Sequence, residues 1–314
     1  MSIYQNMLVF LRSKGILGNG LMHFLVRHTC IEKIWFHAGM DDQSYIIKKY
    51  REAFGVEPDL EHPKTFNEKN NWRKLHERNP LYTSMVDKYK IKQIIAERVG
   101  AEHTFPLLGV WDRPEDIEFD KLPDQFVLKA NHAGGVKVCR SQKSFDRKEA
   151  LRYLNYTQSI DYFIRSREWP YKNVERKIIA EQYMGEDLID YKNYCFGGKL
   201  MYTLIWQNHS LADGSKPDAH FCGAYDRNWE RTTMEIDYPT DDLRFEKPKC
   251  YDELVEVCEK MSAGIPFVRV DCYIIGGHVY VGEMTFFPWG GFQKFKDEAW
   301  NKRLGDLIQL QDPM

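Results

Sequence analysis

The stretch that most constrains this chain lies near its C-terminus, Phe267 to Gly291, FVRVDCYIIGGHVYVGEMTFFPWGG. Two runs of β-branched and aromatic residues flank Gly276-Gly277, the signature of a β-hairpin. Side chains alternate faces along a strand, so Arg269, Asp271 and Tyr273 share one side of the first strand. Val279, Val281, Glu283 and Thr285 share one side of the second. A three-residue loop, Gly276-Gly277-His278, pairs Ile275 with Val279 and sets Asp271 opposite Glu283 and Arg269 opposite Thr285. A two-residue Gly-Gly loop would put the two carboxylates on opposite faces. Directly opposed residues sit about 5 Å apart. Carboxylates that close repel unless a proton or a cation lies between them, and an all-oxygen ligand set suits Mg2+. Phe286, Phe287 and Trp289 follow without a break, which argues against a fully solvated face. The hairpin is a candidate metal site, with a pair of solvated surface charges as the competing reading.

The rest of the composition narrows the class. With 314 residues, a net charge of −2 and 43% hydrophobic content, the chain reads as a soluble globular protein of one large or two to three small domains. A near-neutral balance argues against a nucleic-acid partner held by bulk electrostatics. The 7 cysteines (Cys30, Cys139, Cys195, Cys222, Cys250, Cys258, Cys272) are scattered and contain no C-x-x-C, as expected of reduced thiols in a cytoplasmic protein rather than a disulfide framework or a zinc site. The run MLVFLRSKGILGNGLMHFLVRH is interrupted by Arg12, Lys14, Gly15, Gly18 and Gly20, short of the roughly 20 apolar residues that cross a bilayer. It reads as helices packed on the body. The competing expectation is an interfacial helix giving peripheral contact with the inner face of the membrane.

Residues 1–80 read as a mostly helical, charged segment ending in KTFNEKNNWRKLHERNP, with an amphipathic helix through Asn67, Trp72 and Leu75 that Pro80 stops. It is expected to be a structural cap. LYTSMVDKYKIKQIIAERVG reads as one helix ending at Gly100. FPLLGVWD is a short strand, and FVLK a buried strand ending in Lys129. ANHAGG and a returning strand around Val136 to Arg140 then form a flap whose backbone N–H groups can cover phosphates. Few apolar side chains between Asn131 and Gly135 predict a mobile flap. The spacing is not that of a Walker P-loop. An aromatic-rich helical region over 144–170 precedes the strand KIIAEQYM, a turn at Gly185 to Asp187 and a strand pair around Gly197-Gly198. Residues 207–250 read as a polar surface excursion, and CYDELVEVCEKMSAG as a helix leading into the acidic hairpin.

Seven segments in this order, KTFNEKNNW, RNPLYTSMVDKY, LPDQFVLKANHAGG, REWPYKN, IIAEQYM, DYKNYCFGGK and VRVDCY…YVGEMTFFPWGGF, resemble the TupA-like ATP-grasp family of cell-surface polysaccharide biosynthesis. The resemblance runs from about residue 61 to the end and leaves out residues 1–50. It implies an α+β ATP-grasp fold whose two lobes clasp ATP, here 81–180 and 181–314 behind the helical 1–80. By that resemblance Lys88 and Lys129 contact the nucleotide phosphates, with Gly134 and Gly135 in the flap above. The linker from Glu181 to Met184 reads the adenine edge through its backbone, and Asp187 is a ribose partner. Lys192 lies near the terminal phosphate, and Asp271 and Glu283 hold Mg2+. The family usually carries Asn where this chain has Thr285, a hydroxyl that can ligate Mg2+ or hold a water. Arg269 either holds an acyl phosphate or bridges to Asp271.

The implied activity is an ATP-dependent carboxylate–amine ligase. Its partners would be a glycan or sugar carboxylate, such as a uronic acid, and an amine, such as an amino acid. A glycosyltransferase is the alternative, but there is no D-x-D (Asp241-Asp242 lacks the spacing) and no G-x-G-x-x-G. A nucleotide-binding scaffold without catalysis is disfavoured by the presence of Lys129, Asp271 and Glu283. Acceptor specificity is expected in the 207–250 excursion.

Overall fold

A computed structural model describes residues 40–186, 188–207, 220–238 and 243–310. Asp187 and the apolar N-terminal run, with its expected membrane contact, lie outside the described residues. Among the described residues no helix is long and apolar enough to cross a membrane.

Two antiparallel sheets organise the chain. The smaller is built from β1 (Leu107–Trp111), β2 (Phe126–Ala130), β3 (Lys137–Cys139) and β4 (Ile178–Gln182), in the order β1-β4-β2-β3. The larger takes β5 (Ile189–Phe196), β6 (Lys199–Gln207), β7 (His220–Asp226), β8 (Phe267–Ile275) and β9 (His278–Thr285), in the order β7-β6-β5-β8-β9. Strand β7 falls inside the expected surface excursion and pairs with β6 from Tyr202↔Asp226 to Gln207↔His220. Its Phe221, Cys222 and Ala224 are buried, so the polar residues on either side hid a strand.

The even-numbered residues Val268, Val270 and Cys272 of β8 face one side of the large sheet, as strand alternation requires. There they meet Leu254, Val257 and Met261 of α7 (Tyr251–Ser262). Tyr82 and Met85 of α3 (Pro80–Val86) and Ile91 and Ile95 of α4 (Ile91–Arg98) join the same core. On the opposite face Phe267, Tyr194 and Tyr202 pack with Phe66 of α2 (Phe66–His76) and with Trp300 and Leu304 of α8 (Ala299–Leu307). The small sheet buries Phe126, Leu128, Ile178 and Ala180 against Leu154 of α5 (Arg147–Ser159). Helices α1 (Asp42–Phe54) and α6 (Tyr162–Ser166) complete the described set. The packing thus groups α3 and α4 with the large sheet and β4 with the small one, a different division from 81–180 and 181–314. The chain crosses to the small sheet after α4 and returns after β4.

Two local expectations change for clear reasons. Pro80 does not stop a helix; it occupies the first turn of α3, where its missing N–H costs nothing. The expected single helix through Lys88 breaks into α3 and α4, because the Asp87 carboxylate accepts from the backbone N–H groups of Tyr89 (2.8 Å) and Lys90 (3.3 Å). Lys88 therefore sits on a turn.

Candidate functional site

The hairpin reaches the expected opposition by a different route. Its loop has two residues, with Ile275 paired to His278 and Ile274 to Val279. Continued without interruption, that register would face Asp271 with Gly282 and turn Glu283 to the other side. A β-bulge intervenes: Cys272 pairs with Val281, Gly282 is the extra residue, and Asp271 pairs with Glu283 and Arg269 with Thr285. Gly282 fits because a Cβ there would lie 2.7 Å from Cε2 of Tyr273.

The two carboxylates do not face each other uncompensated. Arg269 donates to both oxygens of Asp271, Nε and Nη2 each at 2.6 Å, and Nη2 also reaches Thr285 Oγ1 at 3.1 Å and Glu283 Oε1 at 3.8 Å. From β5, Lys192 Nζ lies 3.2 Å from Asp190 and 3.4 Å from Asp271. Lys88 Nζ lies 3.3 Å from Glu283 Oε2. Burial alone would lift the Glu283 carboxyl, but Lys88, Arg269 and Lys192 outweigh it and hold the group down at about 2. Burial would likewise strip the Lys192 proton, and Asp271 and Asp190 reverse this to raise its pKa. Arg269 thus occupies the place between the carboxylates that a cation was expected to fill. The oxygens of Asp271, Glu283 and Thr285 on one face fit a hard ion such as Mg2+ by donor type. Glu283, with 40% of its side chain exposed, is the accessible carboxylate of the two, whereas Asp271 is only 4% exposed and clamped by Arg269.

A cleft of about 200 Å³ opens between the sheets. Val127 and Lys129 of β2, Val138 of β3, Glu181 of β4 and the following Met184, and Asp190 and Tyr273 of the large sheet line it. Lys129 does not pair with the acidic hairpin: its Nζ meets Glu181 Oε2 at 2.5 Å, and Lys92 Nζ meets Glu181 Oε1 at 2.6 Å. Burial raises the Glu181 carboxyl, but Lys129 and Lys92 prevail and its pKa is lowered. Two ammonium groups share this one carboxylate, so the triad itself carries one positive charge in excess. The backbone of Glu181 is engaged in the sheet with Val127 and Leu107, so it is the side chain that faces the cleft, and the open linker backbone begins after Gln182. Lys92 was missed in the sequence. Its only signal was its place four residues after Lys88 in KYKIK.

The flap divides into a fixed root and an open tip. Asn131 is fully buried; its side chain donates to Asp87 (2.8 Å) and to the Glu175 carbonyl (2.9 Å) and accepts from Lys177 N–H (2.8 Å). The Lys88 backbone N–H donates to the Asn131 carbonyl at 3.0 Å, tying the Lys88 turn to the flap. His132 and Ala133 are also buried, whereas Gly134 and Gly135 are exposed. Gly135 has φ +86, and a Cβ there would strike the Tyr153 hydroxyl. Of the flap expected to be loosely packed from Asn131 onward, only these two glycines are exposed.

A second polar region, also missed, adjoins the loop after β9. Asn67, Asn70, Asn71, Arg73 and Lys74 of α2 are buried, so this helix turns its polar face inward. Asn71 Nδ2 donates to the Gly291 carbonyl at 2.7 Å and Lys74 Nζ to the Gly290 carbonyl. Burial lowers Lys74 to about 8 and lifts the nearby Glu168 carboxyl to about 7. KTFNEKNNW, REWPYKN and FFPWGGF, distant in sequence, meet here.

Two sheets closing on a lysine-lined cleft, with a glycine flap on one and an acidic hairpin on the other, make an ATP-grasp fold. The chain belongs to the TupA-like ATP-grasp family, whose sequence model matches residues 68–309. No curated protein matches the sequence. Among solved structures, L-amino acid ligase from Bacillus licheniformis is similar at 15% identity and a TM-score of 0.45, over 79% of this chain and 56% of that one. D-alanine–D-alanine ligase from Bacillus anthracis complexed with ATP is similar at 17% identity and a TM-score of 0.37, over 64% and 53%. N5-carboxyaminoimidazole synthetase from Staphylococcus aureus follows at 15% and 0.34, over 64% and 44%. The chain spans about half the length of these structures.

Proposed function

We propose that the protein is an ATP-dependent carboxylate–amine ligase acting on a carboxylate-bearing glycan or its precursor in cell-surface polysaccharide biosynthesis. The observation that carries this is the shared face of the hairpin: Arg269, Asp271, Glu283 and Thr285 meet Lys192 and Lys88 there. In this reading the adenosine lies in the cleft against Met184 and Tyr273, and the phosphates run past Lys129 and Lys92 under Gly134-Gly135. Glu283 and Thr285, with Asp271, would hold Mg2+, which when bound neutralises phosphate charge. A carboxylate is a poor electrophile. Transfer of the terminal phosphoryl to a carboxylate oxygen gives an acyl phosphate and ADP, and an amine then attacks the carbonyl and expels phosphate. In this reading Lys192 and Arg269 offset charge on the transferring group, the largest task in such chemistry.

The test is ADP release with a uronic-acid-containing glycan and a panel of amino acids, run beside the same glycan with sugar nucleotides. Release of ADP and phosphate that depends on the carboxylate, with amide formed only when an amine is present, is the expected result. Glu283→Gln should reduce turnover at least a hundredfold, since the accessible ligand charge is lost. Sugar transfer without ATP would overturn the ligase in favour of a glycosyltransferase.

A further inference from the structure

At the far end of the same hairpin a second cluster of ligating groups has no part in this chemistry. His103 closes the short 3-10 turn Ala101–His103, Glu253 lies in the first turn of α7, and His278 opens β9. One ligand atom from each lies within 4.8 Å of the other two. The imidazoles stack with centroids 4.7 Å apart and planes 23° apart. His278 Nδ1 faces Glu253 Oε1 at 2.8 Å, and its Nε2 faces the Glu102 carbonyl at 3.2 Å. His103 Nδ1 faces the Val279 carbonyl at 2.8 Å and the same Glu253 oxygen at 3.7 Å. A neutral imidazole has one N–H. Neutral His278 therefore sets a lone pair against an acceptor whichever nitrogen carries the hydrogen.

We propose that His103, Glu253 and His278 form a Zn2+ site that staples the hairpin tip to α7 and to the 101–103 turn. An ion at His278 Nδ1 takes that lone pair and leaves Nε2–H donating to the Glu102 carbonyl. That is the outer hydrogen bond a metal-bound histidine ordinarily makes. Two imidazoles and one carboxylate are a zinc set rather than a magnesium set, and water completes the tetrahedron. Ligands about 2.1 Å from the ion lie about 3.4 Å from one another, so the cluster contracts on binding. His278 and Glu253 are 34% and 31% exposed and can turn toward the ion, while buried His103 exchanges its Val279 contact for it. Because Thr104 bridges to Val281 immediately after, the staple holds the connection from α4 to β1. His278 and Glu283 are five positions apart on β9, about 17 Å along the strand, so this is not the Mg2+ face.

The experiment uses the full chain with reduced thiols and saturating Mg2+, titrated with Zn2+ by calorimetry and with Co2+ by absorption. One equivalent of Zn2+ should bind and raise the melting temperature, and Co2+ should give the visible bands of a tetrahedral nitrogen–oxygen site without a thiolate charge-transfer band. His278→Gln and Glu253→Gln, both partly exposed and shape-conserving, should each weaken Zn2+ by about tenfold or more while leaving circular dichroism unchanged. Absence of stoichiometric Zn2+, wild-type affinity retained in both variants, or a thiolate band would overturn the site and leave a plain His278–Glu253 ion pair.

Discussion

Single residues at this site take their properties from burial set against nearby charge, and His132 shows burial winning. It is 3% exposed at the flap root, with Nε2 on the Ile160 carbonyl at 3.1 Å and Nδ1 buried without a partner. Burial first, then the charge of Arg176, lowers it from 6.5 to about 4. The folded state therefore refuses a proton that the unfolded chain accepts, so stability is complete above pH 6.5 and falls as pH drops toward 4. At about 1.4 kcal/mol per pKa unit the loss is about 3 kcal/mol. Glu168 acts in the opposite sense. Its carboxyl, lifted from 4.5 to about 7, binds a proton more readily in the folded state, and stability rises as pH drops from 7 toward 4.5. Comparison with His132→Leu isolates the histidine: between pH 7 and 5 the wild type should lose more denaturant resistance than the variant. Parallel pH profiles would show that folding does not shift the imidazole away from its unfolded titration. Neither residue was legible in the sequence, because a titratable side chain reveals its burial only when distant segments close over it. Lys129 and Glu283 stood out in the sequence, one ending a strand before a glycine flap and the other on an acidic hairpin, whereas Lys88 was named only by the family resemblance, on what read as a helix.

At the scale of elements, the hairpin shows what periodicity can and cannot settle. Alternation placed Arg269 with Asp271 and Glu283 with Thr285, and these four do share a face; Val279 and Val281, expected beside Glu283, instead pack with Met284 in the opposite core, because the bulge reverses the parity of the strand. The loop length did not follow from composition, since Gly-Gly suits two- and three-residue connections alike. A two-residue loop and a bulge at Gly282 together restore the pairing that a three-residue loop was expected to give. Gly282 is thus the residue on which the parity of the acidic face depends. A methyl group at Gly282 would sit 2.7 Å from the Tyr273 ring and 3.3 Å from the Asp271 carbonyl oxygen. Gly282→Ala should therefore cost about 1–3 kcal/mol through overpacking, read as a lower denaturation midpoint. If the strain is relieved by loss of the bulge, Glu283 leaves the Arg269 face and ATP turnover falls with it. Unchanged stability and turnover would mean that the bulge tolerates a side chain and does not set the register.

Over the whole molecule, the order of parts was readable and their grouping was not. Strands β1 to β6 and the β8–β9 hairpin were marked by apolar runs and turn glycines, whereas β7 was hidden by the polar residues around it. The helical segment before residue 81 read as a structural cap because no feature of it carries obvious chemistry. In the fold the polar face of α2 is inside: Asn67 donates to the Gln293 carbonyl at 2.7 Å, and Lys69 to the Gly305 and Ile308 carbonyls, each at 2.9 Å. Hydrogen bonds to a distant segment satisfy these groups, and no local pattern announces them. Phe66, the first residue of α2, is fully buried with its ring 4.9 Å from Phe267 and 6.2 Å from both Tyr194 and Phe295. It therefore joins the face of the large sheet that carries Arg269 and Asp271. Phe66→Ala should cost about 3–5 kcal/mol, the range for a large aromatic removed from a packed core. Val56→Ala, at a residue 60% exposed in the same N-terminal segment, should stay within about 0.5 kcal/mol. Chemical denaturation of both variants decides between two organisations. A large cost at Phe66 alone makes this segment part of the ATP-grasp body, whereas equal, small costs would make it the separate structural cap expected from the sequence.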